Sequence, residues 1–379
     1  MPMKRSRRDN HADQVERLLA EAEALPQGPT RIELCEEAVR IADSHNDPGL
    51  AYRAREELVD SACFGGRPDL LIVGFSWCLS MFDNNGEDSE ISPYQVLWRM
   101  KWVVGALAKF PQIELATMQG MLDDMERRFR DYSGSTQPVV GMRRAVALQT
   151  GDLTAAAKYH KKFMGMERSF LSDCLACERD ALADYWICQR KNGLGVRKAE
   201  ELIRSGLSCS EVPDSTYGDV LLPMVRLRRA EEAMDYHRIG YRKIRRRVAD
   251  LARWGMHIAY LALTGNDARA IRLFQTHLPE VESAHDPLSC LTFWRTTSLA
   301  VESLAQRKKK IKLRLPGESS LANKTGEYAL DDLAGSVRAR GLELSRQFDR
   351  RNGNNYYEEL MDEVRTLHKY ATRVPFSGS

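Results

Sequence analysis

The sequence predicts an all-α chain, a solenoid of antiparallel helix pairs completed by C-terminal capping helices. Three observations carry that expectation. From about Asp13 to Ala305 apolar residues recur at three- and four-residue spacing almost throughout, the period of one helix face. Alternating β-branched runs are scarce. A turn-plus-helix figure recurs: Gly151-Asp152 opens "GDLTAAAKYH" with Ala156 and His160 a turn apart, and Gly265 stands at the same offsets before Ala270 and Phe274. Repetition of such a unit describes stacked helix pairs, each burying its neighbour's apolar face.

Composition agrees with a folded chain. Of 379 residues, 43% are hydrophobic, enough for a continuous core, and the charged residues nearly cancel at net +3, so no whole-molecule field draws nucleic acid or anionic lipid. The longest apolar run, Leu70 to Phe82, falls short of the roughly 20 residues that cross a bilayer, so no membrane association is expected. The basic start "MPMKRSRRDNHADQ" is followed by no apolar segment and does not read as a secretory signal. A cytoplasmic protein with reduced cysteines is the expectation.

In chain order, residues 1–12 read as a disordered basic tail, with Lys4, Arg5, Arg7 and Arg8 either a nucleic-acid contact or a solvated end. Residues 13–305 form the solenoid. "VERLLAEAEAL" and "RIELCEEAVRIADSH" are helices separated by Pro26, Gly28 and Pro29; "AYRAREELVDSACF" passes through Gly65, Gly66 and Pro68 into "LLIVGFSWCLSMFD". Aligned on the small residue of the recurring figure, the second helices carry Ala38, Leu71, Ala116, Ala156, Ala199, Ala233 and Ala270. Four residues on stand Ala42, Phe75, Gly120, His160, Ile203, His237 and Phe274. A small and a large side chain one turn apart let helices approach and fill the space beside them. "DPLSCLTFWRTTSLAVESLA" is a long helix capping the last repeat, and 306–328 an exposed basic linker or long loop. Residues 329–373 hold two further helices around Asn352-Gly353-Asn354, packing back on the solenoid end, and 374–379 a tail.

This pattern resembles the tetratricopeptide repeat over roughly residues 30–285, best from Gly265 to Pro279; repeat lengths vary, and Arg228 stands where the turn glycine would be. The order of segments from "VLWRMKWVVGALAKFPQI" through "SDCLACERD" to "QFDRRNGN" also resembles a group of bacterial tetratricopeptide proteins, which implies no particular activity. The resemblance implies a right-handed α-solenoid.

Chemistry concentrates in Cys174, Cys177 and Cys209. Ser172 or Asp173 is expected to cap a helix running to about Arg190, with Cys174 and Cys177 in its first turn; reversal near Asn192 to Gly195 returns Cys209 to the pair. Three thiolates at a helix start suit structural zinc, the fourth ligand coming from Asp173, Glu211, Asp214 or a neighbouring histidine. Small buried thiols and a redox pair are the other readings. Cys35, Cys63, Cys78, Cys188 and Cys290 fall in apolar helical patterns and read as core.

No HExxH, nucleophile elbow, phosphate loop or kinase set occurs, and adjacent carboxylates such as Asp123-Asp124, Glu231-Glu232 and Asp331-Asp332 diverge on a helix, so no catalytic residue is assigned. His160, His237 and His277 read as packed histidines. Two basic clusters remain, 238–247 and 307–314; in the first, His237, Arg238, Tyr241, Arg242, Arg245 and Arg246 form a candidate anion-binding group. Tyr94, Trp98 and Trp102 share one helix face and read as packing between repeats or as a peptide groove. The leading functional expectation is a non-enzymatic scaffold or regulator binding a protein or peptide on its concave face. Nucleic-acid association through the basic clusters and a zinc-containing protein are the rivals, and nothing in the sequence fixes an oligomeric state.

Overall fold

The computed structural model describes residues 7–85 and 91–376. The described chain is all-helical except for one small hairpin. Its elements are α1 (Arg7–Glu23), α2 (Pro29–Ser44), α3 (Pro48–Gly65), α4 (Pro68–Asn85), α5 (Pro93–Leu107), α6 (Leu115–Ser133), α7 (Gln137–Gln149), α8 (Leu153–Met164), α9 (Leu175–Cys188), α10 (Asn192–Ser205), α11 (Thr216–Asp219) and α12 (Leu221–Arg226). They continue with α13 (Ala230–Ile244), α14 (Leu251–Leu263), α15 (Asp267–Glu282), α16 (Pro287–Ala305), β1 (Lys310–Lys312), β2 (Glu327–Ala329), α17 (Leu330–Asn352) and α18 (Tyr356–Glu363), and a 3-10 turn at Val364–Tyr370 closes the series. No helix of the described residues is long and apolar enough to cross a membrane.

Local chemistry sets the boundaries. Proline opens α2, α3, α5 and α16, where its missing N–H removes a donor that would be orphaned anyway. Asp47, Asp152 and Asp286 accept the free N–H of Leu50, Ala155 and Ser289. The turn between paired helices repeats in detail: Arg67 N bonds Ala62 O, Lys191 N bonds Trp186 O, Arg229 N bonds Met224 O and Asn266 N bonds Leu261 O. This wrap puts the preceding residue in the left-handed region, at φ 80 for Gly66 and 73 for Gly265. Arg190 and Arg228 adopt φ 58 and 63 in the same role, so the turn survives with arginine in the glycine position.

Ala38, Ala156, Ala199, Ala233 and Ala270 are all fully buried at the helix contacts, as their spacing predicts. Ala116 differs. In α6 the buried face is Met118, Leu122, Met125 and Phe129, leaving Ala116 and Gly120 exposed, so that helix is rotated relative to the aligned series.

Distant parts of the chain come together. Gly66, after α3, lies against Ala249, and a Cβ there would sit 3.0 Å from that residue's nitrogen. Lys109 Nζ bonds Asp286 Oδ2 at 2.7 Å, joining the end of α5 to the start of α16. The C-terminal segment then runs along the helix turns: Arg351 donates to the carbonyls of Ala108 and Phe110, Asn354 to Thr150, and Tyr357 to Gln149. Arg190 pairs with Glu363 at 2.9 Å, and the backbone of Thr372 and Val374 bonds Leu263 and Thr264. α18 and the closing 3-10 turn thus reach the end of α9, and the 3-10 turn packs against α12, α14 and α16.

Two further expectations change. Residues 7–12, expected without structure, form the first turns of α1; Lys4 and Arg5 lie outside the described residues. The expected linker 306–328 folds back instead: β1 and β2 pair antiparallel, Ile311 opposite Tyr328, and Leu313 and Tyr328 are buried in the core beside α15 to α17. Alternation of Ile311 and Leu313 with lysines and arginine gives this hairpin its one apolar face. Within the expected tail, Val374 is buried, and residues 377–379 lie outside the described residues.

Candidate metal centre and the surface beside it

The sequence GMERSFLSDCLACERD connects α8 to α9 and builds one end of the site. Cys174 is itself the N-cap of α9: its Sγ accepts the N–H of Cys177 at 3.4 Å, the role expected of Ser172 or Asp173. Those two are occupied elsewhere. Ser172 donates to Gln137, and Asp173 holds Lys101. At the far end Gly206, at φ 70, stops α10, and a tight turn from Cys209 N to Val212 O brings the third cysteine back. Ala176, Leu202 and Val212 form a small buried cluster with Cys177 and Leu207 against it, which clamps the start of α9 to the end of α10.

The three sulfurs lie within 4.8 Å of one another, and Cys177 Sγ and Cys209 Sγ are 3.2 Å apart. Cys174 and Cys209 are exposed and Cys177 half-buried. At zinc–sulfur bonds of about 2.3 Å a tetrahedral ion separates its sulfurs by ~3.8 Å, within reach of side-chain rotation here. Burial raises the Cys177 thiol, and its contacts with Cys209 and Cys174 raise it further. A bound cation reverses that balance by taking the thiolate. Among the described residues no fourth His, Cys, Asp or Glu atom joins the group. Asp173 is bound to Lys101 at 2.7 Å, and Asp214 to Lys243 and Arg247, while Glu211 lies in the field of Cys63 and Lys109. Two of the predicted fourth ligands, Asp173 and Asp214, are thus held by cations, while Cys174 and Cys209 stand exposed.

Lys101 is the residue that sequence reading missed. It is buried on α5, donates to Leu171 O at 2.9 Å and to Asp173, and stands over the Trp98 ring at 3.4 Å. Burial pulls its ammonium below the usual lysine range, opposed by Asp173 and the two nearby thiols. A lysine inside the apolar run "VLWRMKWVV" was the available signal. Beside it lies an exposed aromatic surface: Phe170, 57% exposed, contacts Tyr94 and Tyr132, with Leu175 exposed at the start of α9. Tyr94 in turn stacks on Trp98, so the predicted aromatic face of α5 is split, Trp98 and Trp102 half-buried and Tyr94 at the surface.

The predicted anion group at 237–246 is divided between interior and surface. His237 is buried, its Nδ1 2.9 Å from His257 Nδ1, and the Tyr241 hydroxyl meets His277 Nε2 at 2.9 Å. Arg238 pairs with Asp235 and lies over Phe376. Arg242, Arg245 and Arg246 remain exposed. In the second cluster Arg307 and Lys308 pair with Asp267, and Lys310 with Glu327.

His160, His237 and His277 are packed, as expected. His160 stacks on Tyr185 and His277 on Trp254, and burial lowers their pKa to about 4, that of His237 to about 3. Cys35, Cys78 and Cys290 are buried, whereas Cys63 and Cys188 are half-buried and lie near charged groups. No protein-family model matches the chain, and no curated protein matches it.

Proposed function

We propose that the chain is a non-enzymatic helical-repeat interaction protein of tetratricopeptide-like build, in which zinc held by Cys174, Cys177 and Cys209 fixes the surface that meets the partner. The convergence of three sulfurs within 4.8 Å, contributed by two ends of one helix hairpin, carries this reading. Thiolate ligands and a closed spacing favour zinc over hard cations. The ion ties the α8–α9 connection to the end of α10. That connection carries Phe170, so the metal holds Phe170, Tyr94 and Tyr132 in place as a preorganised apolar anchor. The partner is a protein or peptide offering an apolar side chain, and it docks on this exposed aromatic surface.

Metal analysis of the purified chain is expected to give one zinc per molecule, lost in Cys209→Ser. Peptides selected from a random library against the whole protein are expected to lose affinity tenfold or more for Phe170→Ala. Zinc content unchanged by Cys209→Ser refutes the ligand set; a Cys177–Cys209 disulfide seen by mass spectrometry of the native protein replaces it with the redox reading. Selected peptides indifferent to Phe170 refute the docking surface.

A further inference from the structure

Beneath α18 lies a partly open cavity of about 180 Å³, bounded by the end of α9, α12, α14, α16 and the closing 3-10 turn. Leu222, Met256, Leu360 and Leu367 give it apolar walls. It is smaller than the roughly 300–1,000 Å³ of pockets for drug-sized ligands, so its occupant has few heavy atoms.

The charges in and around it do not balance pairwise. Arg190 and Arg226 both bind Glu363, at 2.9 and 3.3 Å, and Asp219 binds Arg253 at 3.0 Å. Arg295, on the α16 wall, has no hydrogen bond or ion pair from its guanidinium among the described residues. Asp184, one turn before Cys188 on α9, receives only the Cys188 thiol, at 3.7 Å. Both lie in the electrostatic field of the Tyr356 phenol, which lines the cavity with Cys188. The half-buried Arg295 guanidinium, without a counter-ion, costs desolvation that a ligand carboxylate recovers, and Asp184, exposed beside Cys188, offers a free carboxylate at the cavity's edge.

We propose that this cavity binds a free apolar α-amino acid, of the leucine class, its carboxylate on Arg295, its ammonium on Asp184 and its side chain against Leu222 and Met256. A phosphate or other polyanion is disfavoured: one unpaired cation faces Asp184, Asp219 and Glu363.

Calorimetric titration and thermal melting of the whole protein test this with L-leucine, 4-methylpentanoate, 3-methylbutylamine and inorganic phosphate. Leucine is expected to bind and raise the melting temperature, and the two analogues lacking one charge to bind at least tenfold more weakly. Arg295→Gln and Asp184→Asn are each expected to weaken leucine tenfold or more. Should either variant fail to fold, Leu222→Phe, which fills the cavity without touching the charges, is expected to abolish binding. No heat with leucine, valine or phenylalanine at millimolar concentration overturns the proposal. So does 4-methylpentanoate binding as tightly as leucine, or phosphate binding that depends on Arg295.

Discussion

The thiol cluster and the cavity beneath α18 are both polar sites in an all-helical chain, yet they are assembled by opposite means. Cys177 and Cys209 are 32 residues apart on one helix hairpin, and a small apolar cluster in that hairpin sets their approach. The cavity is closed by contacts such as Arg190–Glu363, 173 residues apart, and exists only once the C-terminal helices have docked. A site within one helix hairpin persists wherever that hairpin is folded. A site between the body and its cover is as stable as the cover's attachment.

The strongest way to separate the two is to loosen the cover. Tyr357 is 5% exposed, donates to Gln149 O, and has its N–H held by Asp349. Replacing it with alanine removes a buried ring and leaves a cavity, with an expected loss of about 3–5 kcal/mol in denaturant unfolding. Gly151→Val attacks the same joint from the other side, since its Cβ would meet Tyr356 at 2.5 Å from a backbone at φ 77. Both variants are expected to lose leucine binding while keeping zinc. Loss of zinc alongside would erase the distinction between local and long-range assembly.

The converse experiment removes the metal. With zinc at a hundredfold its dissociation constant, binding stabilises the folded chain by about 2.7 kcal/mol. Chelation, or Cys209→Ser, is expected to remove that increment and sharpen proteolytic cleavage in the 165–174 connection, with leucine affinity unchanged. A melting temperature indifferent to chelator would deny the metal any structural part.

Buried titratable groups give smaller effects of opposite sign. Burial holds His277 near 4 against 6.5 for the free side chain, so between these values the unfolded chain binds the proton that the folded one refuses. Its contribution to stability is present above pH 6.5 and falls as pH drops, by about 2 kcal/mol at pH 5. Relative to wild type, His277→Phe should therefore gain stability as pH falls from 7 to 5. Asp180, held up at about 7 by burial and then by Asp219, behaves in reverse: the folded state keeps its proton, and stability is lost as pH rises from 4 to 7. Because its carboxyl retains solvent contact, the gain from Asp180→Asn at pH 8 is about 1–2 kcal/mol. Parallel pH profiles for the two variants would contradict these assignments.

The same local and long-range division explains what the sequence disclosed. Helix pairs, their turns and the cysteine trio follow from periodicity and from caps a few residues away, and even Arg228 was recognisable as a turn position by its spacing. The docked C-terminal segment was not. Lys109, Arg351 and Tyr357 stand in ordinary helical contexts, and nothing near them announces partners in distant turns. The 306–328 hairpin escaped for a related reason, since its strands are three residues each and gain their stability from the core they cover. α6 misled through a coincidence: Ala116 fits the series, while the methionines and Phe129 determine which face is buried. Arg295 and Asp184 were invisible as a pair because their relation depends on the cover being in place.

The smallest expected effect concerns a surface that neither site uses. Arg242, Arg245 and Arg246 end α13 exposed, while Arg247, Arg307 and Lys308 are held by acids and Tyr241 turns to His277. If this patch meets a nucleic-acid backbone, three cations engage phosphates, and log affinity falls against log salt with a slope no steeper than about −2.7. Replacing the three by alanine is expected to remove that binding and leave melting temperature, zinc content and leucine affinity as they were. A steeper slope would require ion-paired residues such as Arg247 or Arg307 to leave their carboxylates. Arg247→Ala or Arg307→Ala would then weaken that binding and lower the melting temperature together, tying this surface to the long-range framework in place of the local one.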